Sequence, residues 1–267
     1  MEPFEDFGAD ESPPPAIPAA TLVIFRANPA GGPPQLLMVE RSASMTFAGG
    51  AAVFPGGRVD PADRELAAVL APYLGEEEIE EHAARIAAVR ETLEETGLAL
   101  GIDSPVTLEQ AHAARASLLA QGAIGPVLEE FGWQLALDRL VPFARWCPRH
   151  RHLRIFDTRF YLYDIGTGAV DLMVDATENT HLFWATAQEA LDLADSGKIM
   201  VIFPTRRNLE RLAQFSSFAD AVAHARDIPV RMLTPRIVDH EGARWLTIPD
   251  DLGYPVTREK LEDVSRG

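Results

Sequence analysis

The chain has 267 residues, of which 47% are hydrophobic, with a net charge of −16 and a single cysteine, Cys147. That is enough apolar sequence for one large domain or two small ones with a real core, and the acidic balance argues against nonspecific binding to DNA or to an anionic membrane surface. One cysteine excludes an internal disulfide, and no apolar run approaches the roughly 18 residues of a membrane-spanning helix.

Residues 1–18 carry five acids, no bases and the run Pro13-Pro14-Pro15, and read as a disordered tail. Ala20 to Arg26 and Gln35 to Arg41 read as strands joined by a Pro/Gly turn, and Ala51 to Phe54 leads into the loop Phe54-Pro55-Gly56-Gly57. Asp60 to Leu74 and Ile79 to Thr96 read as helices, and Ser104 to Phe131 as helical stretches broken at Gly122 and Gly125. Strands are expected over Leu140 to Cys147 and Ile155 to Ile165, and helices over Glu189 to Ser196 and Thr205 to Ala225. A hairpin around Glu241-Gly242 joins Arg236 to Val238 with Arg244 to Ile248. Strands mixed with helices in this way predict an α/β sandwich.

The most informative segment is RETLEETGL, residues 90–98. Glu91, Glu94 and Glu95 stand at i, i+3 and i+4, within roughly a 100° arc of a helix, with Ile86, Val89 and Leu93 on the opposite side. Like charges at these spacings repel by about 0.2–0.5 kcal/mol per pair, which a solvated surface helix tolerates. A hard divalent cation is the alternative reading of the cluster, because Mg²⁺ prefers carboxylate oxygens and keeps water and substrate phosphates in its other positions. Gly97 fits a left-handed helix terminator. The acids Glu76-Glu77-Glu78 and Glu80-Glu81 read as a solvated helix start rather than as ligands.

Gly57, Arg90, Glu91, Glu94, Glu95, Gly97 and Leu98 resemble the Nudix box, GX5EX7REUXEEXGU with U aliphatic. Asp63 stands where the box has its first Glu, and Thr92 where an aliphatic residue is expected. Between Asp63 and Arg90 lie 26 residues where the box has 7, an insertion of 19. The long insertion, together with PFARW (142–146), RIFDTRF (154–160), Phe183-Trp184 with Gln188 to Leu191, and Gly197 to Leu209, is similar to a branch typified by the mammalian peroxisomal coenzyme A diphosphatase of the "motif nineteen" type. A second signature, [SA]X3RX3GX3FPGG, which marks coenzyme A-cleaving relatives of another branch, is matched at Ser42, Gly50 and residues 54–57, with Thr46 in place of its Arg.

The resemblance implies a Nudix-type α/β/α sandwich with a mixed sheet and extra helices. It would span residues 19–267, with the insertion at about 64–82 and helical additions at about 104–131 and 205–225. It implies metal-dependent hydrolysis of a nucleoside diphosphate-linked pyrophosphate, with Mg²⁺ or Mn²⁺ held by Glu94 and Glu95, and Glu91 assisting as ligand or base. Arg90 would orient a box carboxylate, or else form a surface pair with Glu94. The favoured substrate is coenzyme A or an acyl-coenzyme A. ADP-ribose, NADH, other dinucleotides and a noncatalytic ligand sensor are the alternatives.

Nudix enzymes commonly draw one more carboxylate from a later loop. Glu178 is the first choice here and Asp175 its rival. Substrate contacts are expected from Arg41, Arg154, Arg159 and the Gly56-Gly57 turn. Phe54 would stack on the substrate or pack in the core. Arg149-His150-Arg151-His152 is either a phosphate contact or a solvated hairpin loop. A small-molecule nucleotide is the expected partner, with no DNA and no membrane, and the assembly is left open between monomer and homodimer. A lone cysteine and an acidic N-terminus without a signal-peptide pattern fit a cytoplasmic protein. Ser265-Arg266-Gly267 is not the Ser-Lys-Leu peroxisomal address, so the mammalian relative's location is not expected to carry over.

Overall fold

A computed structural model describes residues 12–42, 49–150, 154–167 and 179–264. Strand β1 (Ile17–Arg26) organises the molecule because it is buried on both faces. Ala20, Leu22 and Ile24 point into one hydrophobic cluster while Val23 and Phe25 point into another, as the period of two requires. The strand begins at Ile17, inside the segment expected to be tail, because Ile17 and Pro18 register against Phe156 and Asp157.

The further elements run in order as β2 (Gln35–Arg41), β3 (Ala52–Val53), β4 (Gly56–Arg58), α1 (Pro61–Leu70), α2 (Glu76–Thr96), α3 (Leu108–Gln121) and α4 (Ile124–Phe131). They continue with β5 (Val141–Trp146), β6 (Phe156–Asp164), β7 (Asn179–Thr186), α5 (Ala187–Asp195), α6 (Phe203–Leu212) and α7 (Phe218–Asp227). The chain closes with β8 (Met232–Leu233), β9 (Arg236–His240), β10 (Ala243–Thr247) and β11 (Arg258–Lys260). The main sheet is mixed and has eight strands in the order β3-β2-β1-β6-β5-β8, with β4 paired to β1 and β7 to β2. β1 runs parallel to β6 and antiparallel to β2 and β4. Helices α2, α3 and α4 cover one face, and α5, α6, α7 and the small sheet β11-β10-β9 cover the other. This is the α/β/α sandwich with a mixed sheet and extra helices that the sequence predicts.

Three readings change. The helix expected to run to Leu74 stops at Leu70, ahead of Pro72. The helix expected over Thr205 to Ala225 is two helices, because Ser217 caps α7 by accepting the Asp220 N–H at 3.1 Å. β7, which the pattern does not announce, pairs antiparallel with the whole of β2. The insertion is not a loop: it forms most of α1 and extends the box helix toward its N-terminus, where exposed Glu76, Glu77 and Glu78 lie in the first turn and favour the helix dipole. Among the described residues, no helix is long and apolar enough to cross a membrane.

β1 changes partner along its length. Its last two residues register against β2 (Phe25↔Leu36, Arg26↔Gln35), whereas Ala19, Ala20 and Thr21 register against Arg58, Gly57 and Gly56 of β4. The second pairing needs Gly56, whose φ is 154°, since a Cβ there would sit 2.3 Å from the Ala20 carbonyl oxygen and 2.7 Å from Thr21 Cα. Gly56→Ala is therefore expected to lower unfolding stability by about 2–4 kcal/mol in urea denaturation. An unchanged midpoint would contradict the β1–β4 pairing.

Candidate active site

The site is assembled where α2 crosses β4. Gly97, at φ 76°, ends α2 in the left-handed conformation and donates its N–H to the Leu93 carbonyl. Just before it, Arg115 of α3 donates from Nε to the Glu94 carbonyl at 2.7 Å, placing a cation on the negative end of the helix. No sequence cue links Arg115 to the box, since the two are brought together by the packing of α3 on α2.

Arg90 is 4% exposed and satisfies its guanidinium in several directions. It forks onto Asp63, with Nε to Oδ1 at 3.0 Å and Nη2 to Oδ2 at 2.9 Å. Nη2 also donates to the Arg58 carbonyl at 2.8 Å, and Nη1 to Glu91 Oε1 at 2.8 Å. Among the described residues Arg90 thus pairs with Asp63, Glu91 and Asp60, none of them the i+4 residue Glu94. Burial works to lower the Arg90 pKa, but hydrogen bonding to Asp63 and the charges of Glu91, Asp63 and Asp60 raise it above the usual arginine range. Asp63 is 1% exposed and also accepts the Asp60 N–H at 2.9 Å, so it is committed to Arg90 and to the start of α1.

Glu91 lies against the Gly57 backbone. A Cβ at position 57 would meet its carboxylate carbon at 2.3 Å and its oxygens at 2.4 and 2.6 Å, so only glycine admits this approach. Burial pushes the Glu91 carboxyl up to about 7; Glu94 and Asp60 add to the rise and Arg90 opposes it. Glu95 is 3% exposed and its Oε2 accepts the Gly56 N–H at 2.9 Å. Glu94 is half-buried on the same face. The glycines thus bring the loop backbone onto two of the three box carboxylates.

Hard oxygen donors on one helical face, with the charge of Glu94 raising the proton affinity of Glu91, match what Mg²⁺ or Mn²⁺ binds. They do not form a finished cage: among the described residues, no group of three His, Cys, Asp or Glu is placed to hold a metal ion. The reason is visible in the partners, since Glu91 is turned to Arg90 and Glu95 to Gly56. The fit is to an ion that takes water and substrate oxygens in its remaining positions.

The other expected site residues fall in different places. Phe54 is 3% exposed in the hydrophobic cluster on the face away from α2, so it packs rather than stacks, because β3 delivers it into that core. Arg159 stands level with Ala20 and, through it, with Gly57, two strands or about 10 Å away. There its Nε pairs with Glu81 of α2 at 3.1 Å, and Tyr161 donates to the same carboxylate at 2.9 Å. Glu81 is therefore an inter-element partner and not part of a solvated helix start. Arg154 is exposed beside the tip of the β5–β6 hairpin, where His150 is 1% exposed. Arg41 ends β2, with its backbone tied to Gly50 and Ala51 and its Nε without a hydrogen-bond partner among the described residues. Arg41 registers against Asn179, where β7 begins. Thr46, Arg151, His152, Asp175 and Glu178 lie outside the described residues.

No family model matches the chain. The structure is similar to the crystal structure of a NUDIX hydrolase from Alicyclobacillus acidocaldarius, with a TM-score of 0.64 and 25% identity over 78% of this chain and 96% of that one. The chain is an enzyme of the Nudix hydrolase fold. More distant likenesses are the MutT protein from Methanosarcina mazei Go1 (16% identity, 75% of this chain and 94% of that one, TM-score 0.39) and the NUDIX domain of Shewanella oneidensis NrtR complexed with ADP ribose (14%, 76% and 91%, TM-score 0.39). These two overlays are too remote to add to the assignment.

Two stability measurements probe this candidate site without substrate. The Arg90–Asp63 fork predicts strong coupling: a double-mutant cycle with Arg90→Met and Asp63→Asn should return an interaction energy of about 1–3 kcal/mol. Additive unfolding energies would mean the fork is dispensable. Thr92 is fully buried and its hydroxyl has no partner among the described residues, so Thr92→Val is expected to stabilise by about 1 kcal/mol in the same assay.

Proposed function

We propose that the chain hydrolyses a pyrophosphate bond in a nucleoside diphosphate-linked compound, with coenzyme A or an acyl-coenzyme A as the favoured substrate. The observation that carries the hydrolytic reading is the joint placement of Glu91, Glu94 and Glu95 on one face of α2, with Glu91 held by Arg90 and pressed against Gly57.

In this reading Glu94 and Glu95 hold Mg²⁺ or Mn²⁺, and Glu91 assists as ligand or base. When bound, the metal neutralises phosphate charge and lowers the pKa of a coordinated water. The chain's own residues do the positioning. Arg90 fixes the direction of the Glu91 carboxylate through a charge-assisted hydrogen bond, and the glycine turn lets the backbone approach α2 and the phosphates closely. Glu178 supplies a further carboxylate as ligand or base, with Asp175 as the alternative. Arg41 and Arg154 are offered as phosphate contacts. Attack of water on one phosphorus forms a P–O bond, breaks the bond to the bridging oxygen and leaves two phosphate monoesters. From coenzyme A these are 3′,5′-ADP and 4′-phosphopantetheine.

The preference for coenzyme A is supported by the long insertion and by the spacing of Ser42, Gly50 and the Phe54 to Gly57 loop. Thr46, in place of that signature's Arg, favours the second reading, in which ADP-ribose, NADH or another dinucleotide is cleaved. The test is a panel of these compounds with Mg²⁺ or Mn²⁺ and product identification by mass spectrometry. Wild type should release 4′-phosphopantetheine from coenzyme A, and chelation by EDTA should abolish turnover. Glu94→Gln and Glu95→Gln should each lower kcat by about 100-fold or more. AMP from ADP-ribose with no cleavage of coenzyme A moves the assignment to the second reading. Full activity in both variants rejects the site.

A further inference from the structure

The last turn of α2 is electrostatically awkward. It holds Glu94 and Glu95 and no basic residue, so two carboxylates sit near the negative pole of the helix dipole, and the helix offers no compensation of its own. Its backbone ending is also incomplete. In an uninterrupted helix the Glu94 carbonyl would accept the Leu98 N–H. Here Gly97 turns the chain and donates its own N–H to the Leu93 carbonyl at 3.0 Å, while the Leu98 N–H goes to Thr96 Oγ1 at 3.2 Å. The Thr96 hydroxyl in turn donates to the Thr92 carbonyl at 2.6 Å.

Arg115 of α3 answers both needs. Its Nε donates to the Glu94 carbonyl at 2.7 Å, in the place that the Leu98 N–H has left, and its guanidinium brings positive charge to that pole. Arg115 is 7% exposed, and no carboxylate among the described residues pairs with it. Arg64, Arg85, Arg90 and Arg159 differ in this respect, since each is paired with an acid. The charge of Arg115 is spent on a helix end instead.

The helix that carries Arg115 is firmly set. Thr107 caps α3 by accepting the Gln110 N–H at 3.2 Å, and Gln110 Oε1 accepts the Thr107 N–H at 2.9 Å. Ala114 and Leu118 of α3 are buried in the same hydrophobic cluster as Ile86, Val89 and Leu93 of α2. The last turn of α2 is therefore clamped from two directions. Arg115 holds the backbone of Glu94, and the Gly56 N–H holds the side chain of Glu95.

We propose that Arg115 is a positioning residue of the metal site, whose bond to the Glu94 carbonyl holds the last turn of α2 in the conformation from which Glu94 and Glu95 bind a divalent cation. The role rests on the metal-dependent hydrolysis proposed above, and it gives the added helix α3 a part in that chemistry. A guanidinium has no lone pair with which to ligate a cation, so Arg115 acts through the backbone of the residue it holds.

Mn²⁺ binding to the full chain without substrate tests this. It is read from the electron paramagnetic resonance signal of free Mn²⁺, at a temperature well below the unfolding midpoint of every variant. Glu94→Gln and Glu95→Gln identify the part of the binding that belongs to the site. Arg115→Met removes both charge and bond, and should weaken that part about 10-fold or more. A single bond, unlike a fork, is open to lysine, so Arg115→Lys should bind Mn²⁺ within about 3-fold of wild type. A lower unfolding midpoint in Arg115→Met with unchanged Mn²⁺ affinity would make Arg115 a structural residue only and overturn the proposal. Equal weakening in Arg115→Lys would also overturn it, by assigning the loss to packing. If Glu94→Gln and Glu95→Gln bind Mn²⁺ as tightly as wild type, the metal reading itself fails and the positioning role falls with it.

Discussion

The fork between Arg90 and Asp63 is the joint on which the candidate site depends. Both side chains are buried, and a buried charge is tolerable only when its partner and its remaining hydrogen bonds are in place. Here the partners come from three pieces of chain: Asp63 from α1, the Arg58 carbonyl from β4 and Glu91 from α2 itself. One guanidinium therefore sets the spacing between the inserted helix, the glycine strand and the acidic face. Lysine has no planar fork with which to make these bonds together.

The second constraint is the change of partner along β1. By pairing with β4 at one end and β2 at the other, β1 lets the sheet open where the glycine loop must meet α2. Gly56 and Gly57 serve different contacts in this arrangement. The first admits the neighbouring strand's carbonyl, and the second admits the Glu91 carboxylate. Around them the two hydrophobic clusters hold the sheet from both faces, so these backbone approaches rest on a rigid support. The acidic balance of the whole chain makes local basic groups the more important. Most of those described near the box, including Arg90, Arg64, Arg85 and Arg159, are spent on carboxylates of the chain itself. Under the proposed function, that leaves metal as the principal means of neutralising the substrate's phosphates.

Much of the layout was legible from residue pattern. The apolar runs announced β1 and β2, the three-and-four spacing placed Glu91, Glu94 and Glu95 on one face, and Gly97 marked the helix end. The break between α6 and α7 was also written in the chain, as Ser217 three residues before Asp220, but the surrounding helical periodicity hides a cap of that kind. β7 was not legible, because its strand character comes from pairing along β2 rather than from alternation of its own.

By itself the sequence determined the chemistry class: which carboxylates share a helical face, which glycines precede them and how long the insertion is are properties of local spacing. Only the tertiary structure decided how those groups are spent. It gave Asp63 to Arg90, Glu95 to the Gly56 N–H and Arg159 to Glu81, buried Phe54, and left Arg211 without a carboxylate among the described residues. The physical reason is the same in each case. A charge finds its partner through packing between segments distant in sequence, and burial, which sets what an unpartnered group costs, exists only once those segments have met.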